Sequence, residues 1–204
     1  GYGVGSFHPL VVLTDPDGLP VEGVRNWSNG WLPSLFQGTV VRPREPRILN
    51  LDPPEQYRGE TQEAFLSLLG DLNRRHRDGR PGENDLDARI ASYELAARMQ
   101  SAAREALDIS QETKATQSMY GLDDPATKDY GTRCLIARRL VERGVRFVQL
   151  FTRYQFWDHH GNIDKSLPAA CKKTDQPAAA LVKDLKQRGL LDSTLVHWGG
   201  EMGR

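Results

Sequence analysis

The segment Phe156-Trp157-Asp158-His159-His160-Gly161-Asn162 gathers the side chains best suited to hold a metal. Asp158 offers a hard carboxylate oxygen and His159 or His160 a neutral imidazole nitrogen, a ligand pair that suits zinc or manganese. A second segment, Gly199-Gly200-Glu201-Met202-Gly203-Arg204, places a carboxylate after two glycines that let the backbone approach closely. Glu201 is therefore a candidate further ligand, and Arg204 is suited to bidentate capture of an anionic group. His197, within an apolar run, and His8 are expected to be packed chain residues, and His76 a solvated residue at a helix end. Asp175, just before Gln176-Pro177, reads as a helix cap.

No protein nucleophile presents itself. The chain has no Gly-x-Ser-x-Gly elbow, no phosphate-cradling Gly-rich loop with a lysine, and no cysteine beside a base. Gly1-Tyr2-Gly3-Val4-Gly5 imitates such a loop only in composition. Hydrolysis by a metal-activated water needs no such residue, so covalent mechanisms are weakened more than metal chemistry.

Both candidate segments follow short apolar runs, 145–151 and 194–198, each of strand length. Between them, Pro177 and Gly189 bracket a helix expected over 177–188, and a preceding helix is expected over 130–143, ended by Gly144. A strand, helix, strand unit with a long crossover predicts parallel strands, whose carboxyl ends share one edge of the sheet. Residues some forty positions apart in sequence can then line one crevice. Upstream, 61–118 reads as helical. Phe65, Leu68, Leu69 and Leu72 form one apolar stripe, and Leu86, Ile90, Tyr93 and Ala97, extended by Met99, Ala103 and Leu107, form a second that reads as core. Asn84 is the expected cap of that second helix. Residues 1–60 are interrupted by proline throughout; His8 to Thr14 reads as their one strand, and Asn26 to Pro33 as aromatic and polar loop packed on the scaffold.

Composition narrows the class. Lys+Arg 27 balances Asp+Glu 27, which removes bulk electrostatics as a reason to expect nucleic acid. No apolar stretch is long enough to span a membrane as a helix. Cys134 and Cys171 stand far apart in no metal-knuckle spacing and are expected to be free thiols, Cys134 a buried one.

Asn26-Trp27-Ser28-Asn29-Gly30-Trp31-Leu32-Pro33, Leu86-Asp87-Ala88-Arg89-Ile90, the run from Cys134 to Val148, Trp157-Asp158-His159-His160 and Gly200-Glu201-Met202-Gly203-Arg204 together resemble a large bacterial family of exported, sulfatase-like proteins of unknown function within the alkaline phosphatase superfamily. The resemblance covers nearly the whole chain in order. It implies an α/β fold, an α/β/α sandwich with a mostly parallel sheet, incomplete here at both ends. The chain then reads as one partial domain: a loop-rich 1–60, a helical 61–118, and 119–204 carrying the sheet and the metal motifs.

By the same resemblance, Asp158 and His160 would bind one divalent metal and Glu201 a second, with His159 and Arg204 left to the substrate. The metal is expected to be zinc, with calcium, magnesium and manganese as alternatives. Met202 stands where that superfamily's phosphatases carry a histidine ligand. The implied activity is hydrolysis of sulfate or phosphate esters, with small anionic esters as substrate, the nucleophile outside this chain, and a periplasmic or secreted location. The rival expectation is a non-catalytic exported surface or binding protein that keeps the fold.

Overall fold

The computed structural model describes residues 9–33, 36–49 and 51–199, apart from the side chains of Asn84 and Ser101. Three strands, β1 (Leu10–Leu13), β2 (Thr39–Val41) and β3 (Phe147–Leu150), form a sheet in the order β2-β1-β3. Both pairings are parallel, with Val12 opposite Val40 on one side and Gln149 on the other. β1 is central because its Leu-Val-Val-Leu run is buried almost entirely, as a strand flanked on both edges requires.

Alternation along the strands assigns the faces. Val11, Leu13 and Val41 join Leu95, Met99, Ala103, Ala106 and Leu107 of α2 (Asn84–Leu107) and Ile136, Ala137 and Leu140 of α4 (Lys128–Glu142) in one core. α3 is a short helix (Lys114–Met119) whose amino end Thr113 caps, its hydroxyl accepting from the Thr116 amide. A second cluster, Tyr120, Tyr130, Cys134, Leu135 and Ala180, packs α4 against α5 (Ile163–Gln187). Val12 points the other way and belongs to neither cluster. It meets Trp27 and Gly38, where an added Cβ would come within 3.0 Å of both side chains. The second face is thus covered by loop near β1 and open at β3, where Phe147 is exposed.

This is a mixed α/β fold with a small parallel sheet. The expected α/β/α sandwich is not seen among the described residues: the sheet has three strands, and the helices of both core clusters lie on one side of it. The carboxyl edge that Asp158, His159 and His160 follow is formed by β3 beside β1, not by the expected pair of runs 145–151 and 194–198.

Several boundaries differ from the sequence reading for physical reasons. Residues 194–198 form no strand; they follow a 3-10 turn (Leu191–Ser193), and Leu195 is almost fully exposed. An apolar run becomes a strand only when its backbone finds a ladder partner, and here none of the three strands supplies one. His197 is accordingly exposed and not packed within a strand. α5 begins at Ile163 and contains both Pro168 and Pro177, so Pro177 does not open it and Asp175 lies in its interior instead of capping it. α1 (Glu60–Asp78) forms where expected, yet it buries no residue, and Phe65, Leu68, Leu69 and Leu72 all face solvent. On α2 the buried face runs through Ile90, Leu95, Met99, Ala103 and Ala106, leaving Tyr93 exposed; Asn84 is the first helical residue and not the cap, and Glu83 before it makes no side-chain capping bond. Trp27 packs as expected, whereas Trp31 is exposed. His8 lies outside the described residues. Among the described residues, no helix is long and apolar enough to cross a membrane.

Candidate functional site

β3 delivers the chain to the carboxyl edge of the sheet beside the end of β1. The Phe151 amide donates to the Leu13 carbonyl (3.0 Å), and the Phe151 carbonyl accepts from Arg133 Nη1 (2.6 Å). Arg133 also donates through Nη2 to Asp15 Oδ2 at 3.0 Å, and neither side chain of this pair is exposed. One guanidinium therefore ties α4 to the ends of both strands. Asp15 Oδ1 accepts from the Asp17 amide (3.0 Å), which folds the turn after β1.

The next stretch of chain is held at two points. The Tyr154 amide donates to the Leu19 carbonyl (2.8 Å), and the Asp158 amide to the Gln155 carbonyl (2.9 Å). Tyr154 and Asn162, at φ 39° and 56°, are the described non-glycine residues in the left-handed region, and they bracket the candidate segment. Such conformations cost of order 1 kcal/mol or more each and persist where surrounding structure imposes them. Tyr154 packs over Gly18, where a Cβ would lie 2.8 Å from its ring.

Within this loop Asp158 and His160 meet. His160 Nε2 lies 2.9 Å from Asp158 Oδ2; the imidazole is 90% exposed and the carboxylate 35%. His159 turns inward, and its Nε2 is buried with no hydrogen-bond partner among the described residues. All three line a cleft of about 850 Å³ with Arg153, Phe156, Ser166 and Lys173. Lys173 Nζ stands 3.6 Å from Asp17 Oδ2 and 5.5 Å from the centroid of the Phe156 ring. The other main cavity, about 460 Å³ between α1, α2 and the Ile48–Leu51 stretch, carries no such cluster of charged or imidazole groups.

Aromatic contacts link this loop to the chain after α5. Trp157 packs edge-on against Phe156 (5.1 Å between centroids) and Trp198 (5.9 Å), and Trp198 approaches Tyr130 (6.4 Å). The segment leading toward Glu201 thus lies against the residue preceding Asp158. Glu201, Met202 and Arg204 themselves lie outside the described residues.

The donor set fits a divalent cation in part. Asp158 and His160 supply an oxygen and a nitrogen at one point, and the orphaned His159 nitrogen is a further polar group awaiting a partner. Among the described residues, no three His, Cys, Asp or Glu side chains converge on a common point. The structure also brings in residues the sequence reading passed over. Arg153 stands two positions beyond Phe151, in a place that could have been noticed; Lys173 reaches the cleft only because α5 starts fourteen residues earlier than its proline suggested. The burial of Asp15 under Arg133 has no signature in sequence.

Cys134 is buried in α4, and burial pushes its thiol up to about 12; Cys171 is partly exposed, and both are free thiols. Neither lines the cleft.

No curated protein and no solved structure matches the chain significantly. Residues 2–204 match the family described as a protein of unknown function, DUF1501, and the chain belongs to that family.

Proposed function

We propose that the whole protein is a metal-dependent hydrolase of sulfate or phosphate esters with an alkaline phosphatase-like fold, exported from the cytoplasm. The observation that carries this reading is the meeting of Asp158 and His160 at 2.9 Å on the carboxyl edge of a parallel sheet, at the mouth of a cleft. Asp158 and His160 would hold one divalent cation, zinc first among the candidates and calcium, magnesium or manganese after it. Trp198 lies against Trp157, and Glu201 follows Trp198 by three positions, which allows a reach of at most roughly 10 Å. That reach supports Glu201 as a further ligand and Arg204 as a group that orients the substrate anion.

The bound cation would neutralise ester charge and activate the attacking oxygen. Asp158 would hold it through a carboxylate oxygen, His160 would orient against Asp158, and His159 would present its buried nitrogen to the substrate. The nucleophile is assigned to chain outside these residues.

Elemental analysis of the purified full-length protein beside Asp158→Ala and Glu201→Ala variants tests the reading. Stoichiometric metal lost in both variants, together with loss of ester hydrolysis, is the expected result. Absence of bound metal in the parent after incubation with each ion would move the assignment to a non-catalytic exported binding protein.

A further inference from the structure

The cleft beside Asp158 is more cationic than its acidic and imidazole residues suggest. Arg153 and Lys173 line it, against one carboxylate, Asp158, which is already engaged by His160. Lys173 is held in place: its side chain is 21% exposed, steered by Asp17 at 3.6 Å and by the Phe156 ring. Arg153 makes no ion pair with any described residue, so its guanidinium is available.

Two further features favour negative charge at the same place. α5 spans 25 residues, and Gly161 and Ser166 at its amino end line the cleft. Asn162, in the left-handed region, offers no side-chain cap; its carbonyl accepts from the Lys165 and Ser166 amides (3.0 and 2.9 Å), which leaves the Ile163 and Asp164 amides as the donors without a capping partner at the helix start. The second feature is His159 Nε2, buried without a partner in the cleft wall. A buried polar atom left unpaired destabilises the protein, and a ligand oxygen would remove that cost when Nε2 carries the proton.

We infer that Arg153, Lys173, His159 and the amino end of α5 form a binding site for a tetrahedral oxyanion, the charged group of a sulfate or phosphate ester, which holds its ligand without help from a metal. The inference deepens the ester-hydrolase reading and rests on it for the nature of the substrate. Its own content, an anion site separable from the cation site, stands or falls by itself. Arg153 contributes planar bidentate donors and Lys173 a point charge, so the two grip different edges of the anion.

Titration calorimetry of the full-length protein with inorganic sulfate and, separately, inorganic phosphate tests it, before and after chelation of metal by EDTA. Binding of at least one anion should survive chelation. Arg153→Ala and Lys173→Ala should each weaken it about tenfold, the loss expected for one charge-assisted hydrogen bond. Lys173→Arg should retain most of it. Lys172→Ala should change nothing, since Lys172 is 68% exposed and turned toward Asp124. The preferred anion distinguishes sulfate from phosphate chemistry.

Circular dichroism establishes that each variant is folded. No binding of either anion to the metal-loaded or the chelated protein overturns the inference, as does binding that disappears with the metal and ignores both alanine variants. Metal content of the same samples separates the two claims. Anion binding in a protein that takes up no metal leaves this site standing and removes the hydrolase reading. Intact metal and ester hydrolysis, with KM unchanged in Arg153→Ala and Lys173→Ala, does the reverse.

Discussion

α4 and the loop after β3 hold charged groups in opposite ways. On α4, Arg133, Arg138 and Arg139 are buried, yet each is surrounded by acceptors. Arg139 donates through Nε to the Ala106 carbonyl (2.8 Å), and Glu112 lies against its Nη1. Arg138 donates to Glu142 (2.6 Å), while its Nε and Nη2 sit 2.9 and 2.8 Å from Asp184 and Glu112, at ion-pair distance but off the hydrogen-bonding angle. Tyr120 Oη completes the cluster by donating to Asp184 (3.0 Å). In the loop, by contrast, His160 is open to solvent and His159 lacks a partner. Charge that is fully enclosed and paired specifies how helices meet the sheet. Charge that is exposed or unpaired at a cleft does little for the fold and remains available to a ligand.

The sharpest way to break this contrast is to remove one member of each group and compare stabilities. Arg133→Met leaves Asp15 buried and unpaired and strips the Phe151 carbonyl of its donor. Urea unfolding should show a loss of about 3–5 kcal/mol, part of which returns in the Arg133→Met, Asp15→Leu double variant. His160→Ala, made in parallel, should stay within about 0.5 kcal/mol of the parent. A comparable loss for both would make the loop a structural element and undo the division of roles.

A smaller effect is expected where α4 passes under the end of α3. An added Cβ at Gly131 would collide with the Tyr120 carbonyl, which is backbone and cannot rotate away. Gly131→Ala should therefore cost about 1–3 kcal/mol, the range for overpacking, despite alanine's better helix propensity. Unchanged thermal unfolding would mean that α3 and α4 separate more easily than their packing implies.

Acid titration then probes the paired charges as a group. Burial acts to raise the Glu112 carboxyl, but the adjoining guanidinium groups of Arg138 and Arg139 outweigh it and hold the group below its ordinary value of 4.5. A depressed native pKa means that the unfolded chain binds the proton first as pH falls. The contribution of Glu112 is fully present above pH 4.5 and is lost as pH drops through the lower native value. Glu112→Gln should flatten that part of the stability curve, and an unaltered acid limb would show that these pairs do not govern acid stability.

How much of this was legible beforehand follows from which interactions are local. Strands β1 and β3 and helix α4 were readable because apolar period and terminal glycine act within a few residues, as with Gly144 after α4. The nearness of Asp158 to an imidazole was readable for the same reason, although the residues alone left His159 and His160 as alternatives and the structure places His160 against it. Buried Arg133 was not, because a cation on a helix reads as solvated, and its partner Asp15 stands 118 positions away. Pro177 misled because proline opens helices more often than it is carried inside them, and Lys173 was lost with that error. The stripe on α1 shows the converse: a local pattern was correct, but no tertiary surface among the described residues receives it. The 194–198 run failed as a strand through want of a ladder partner, a property of the sheet and not of the run.

The two cysteines give the smallest effect and the finest comparison, since one belongs to the enclosed region and the other to the outer helix. Cys134 is buried on α4 with its thiol pushed up to about 12, while Cys171 on α5 is only partly covered. At pH 8 a thiol of that pKa is ionised at the level of about one part in ten thousand, and the thiolate is the reactive form. A disulfide reagent should therefore modify one equivalent of thiol in the native protein, at Cys171, with the second released only by urea. Cys171→Ser should abolish the native reaction without altering the second. Rapid reaction of both thiols in native buffer would mean that the α4 core opens faster than its buried ion pairs allow.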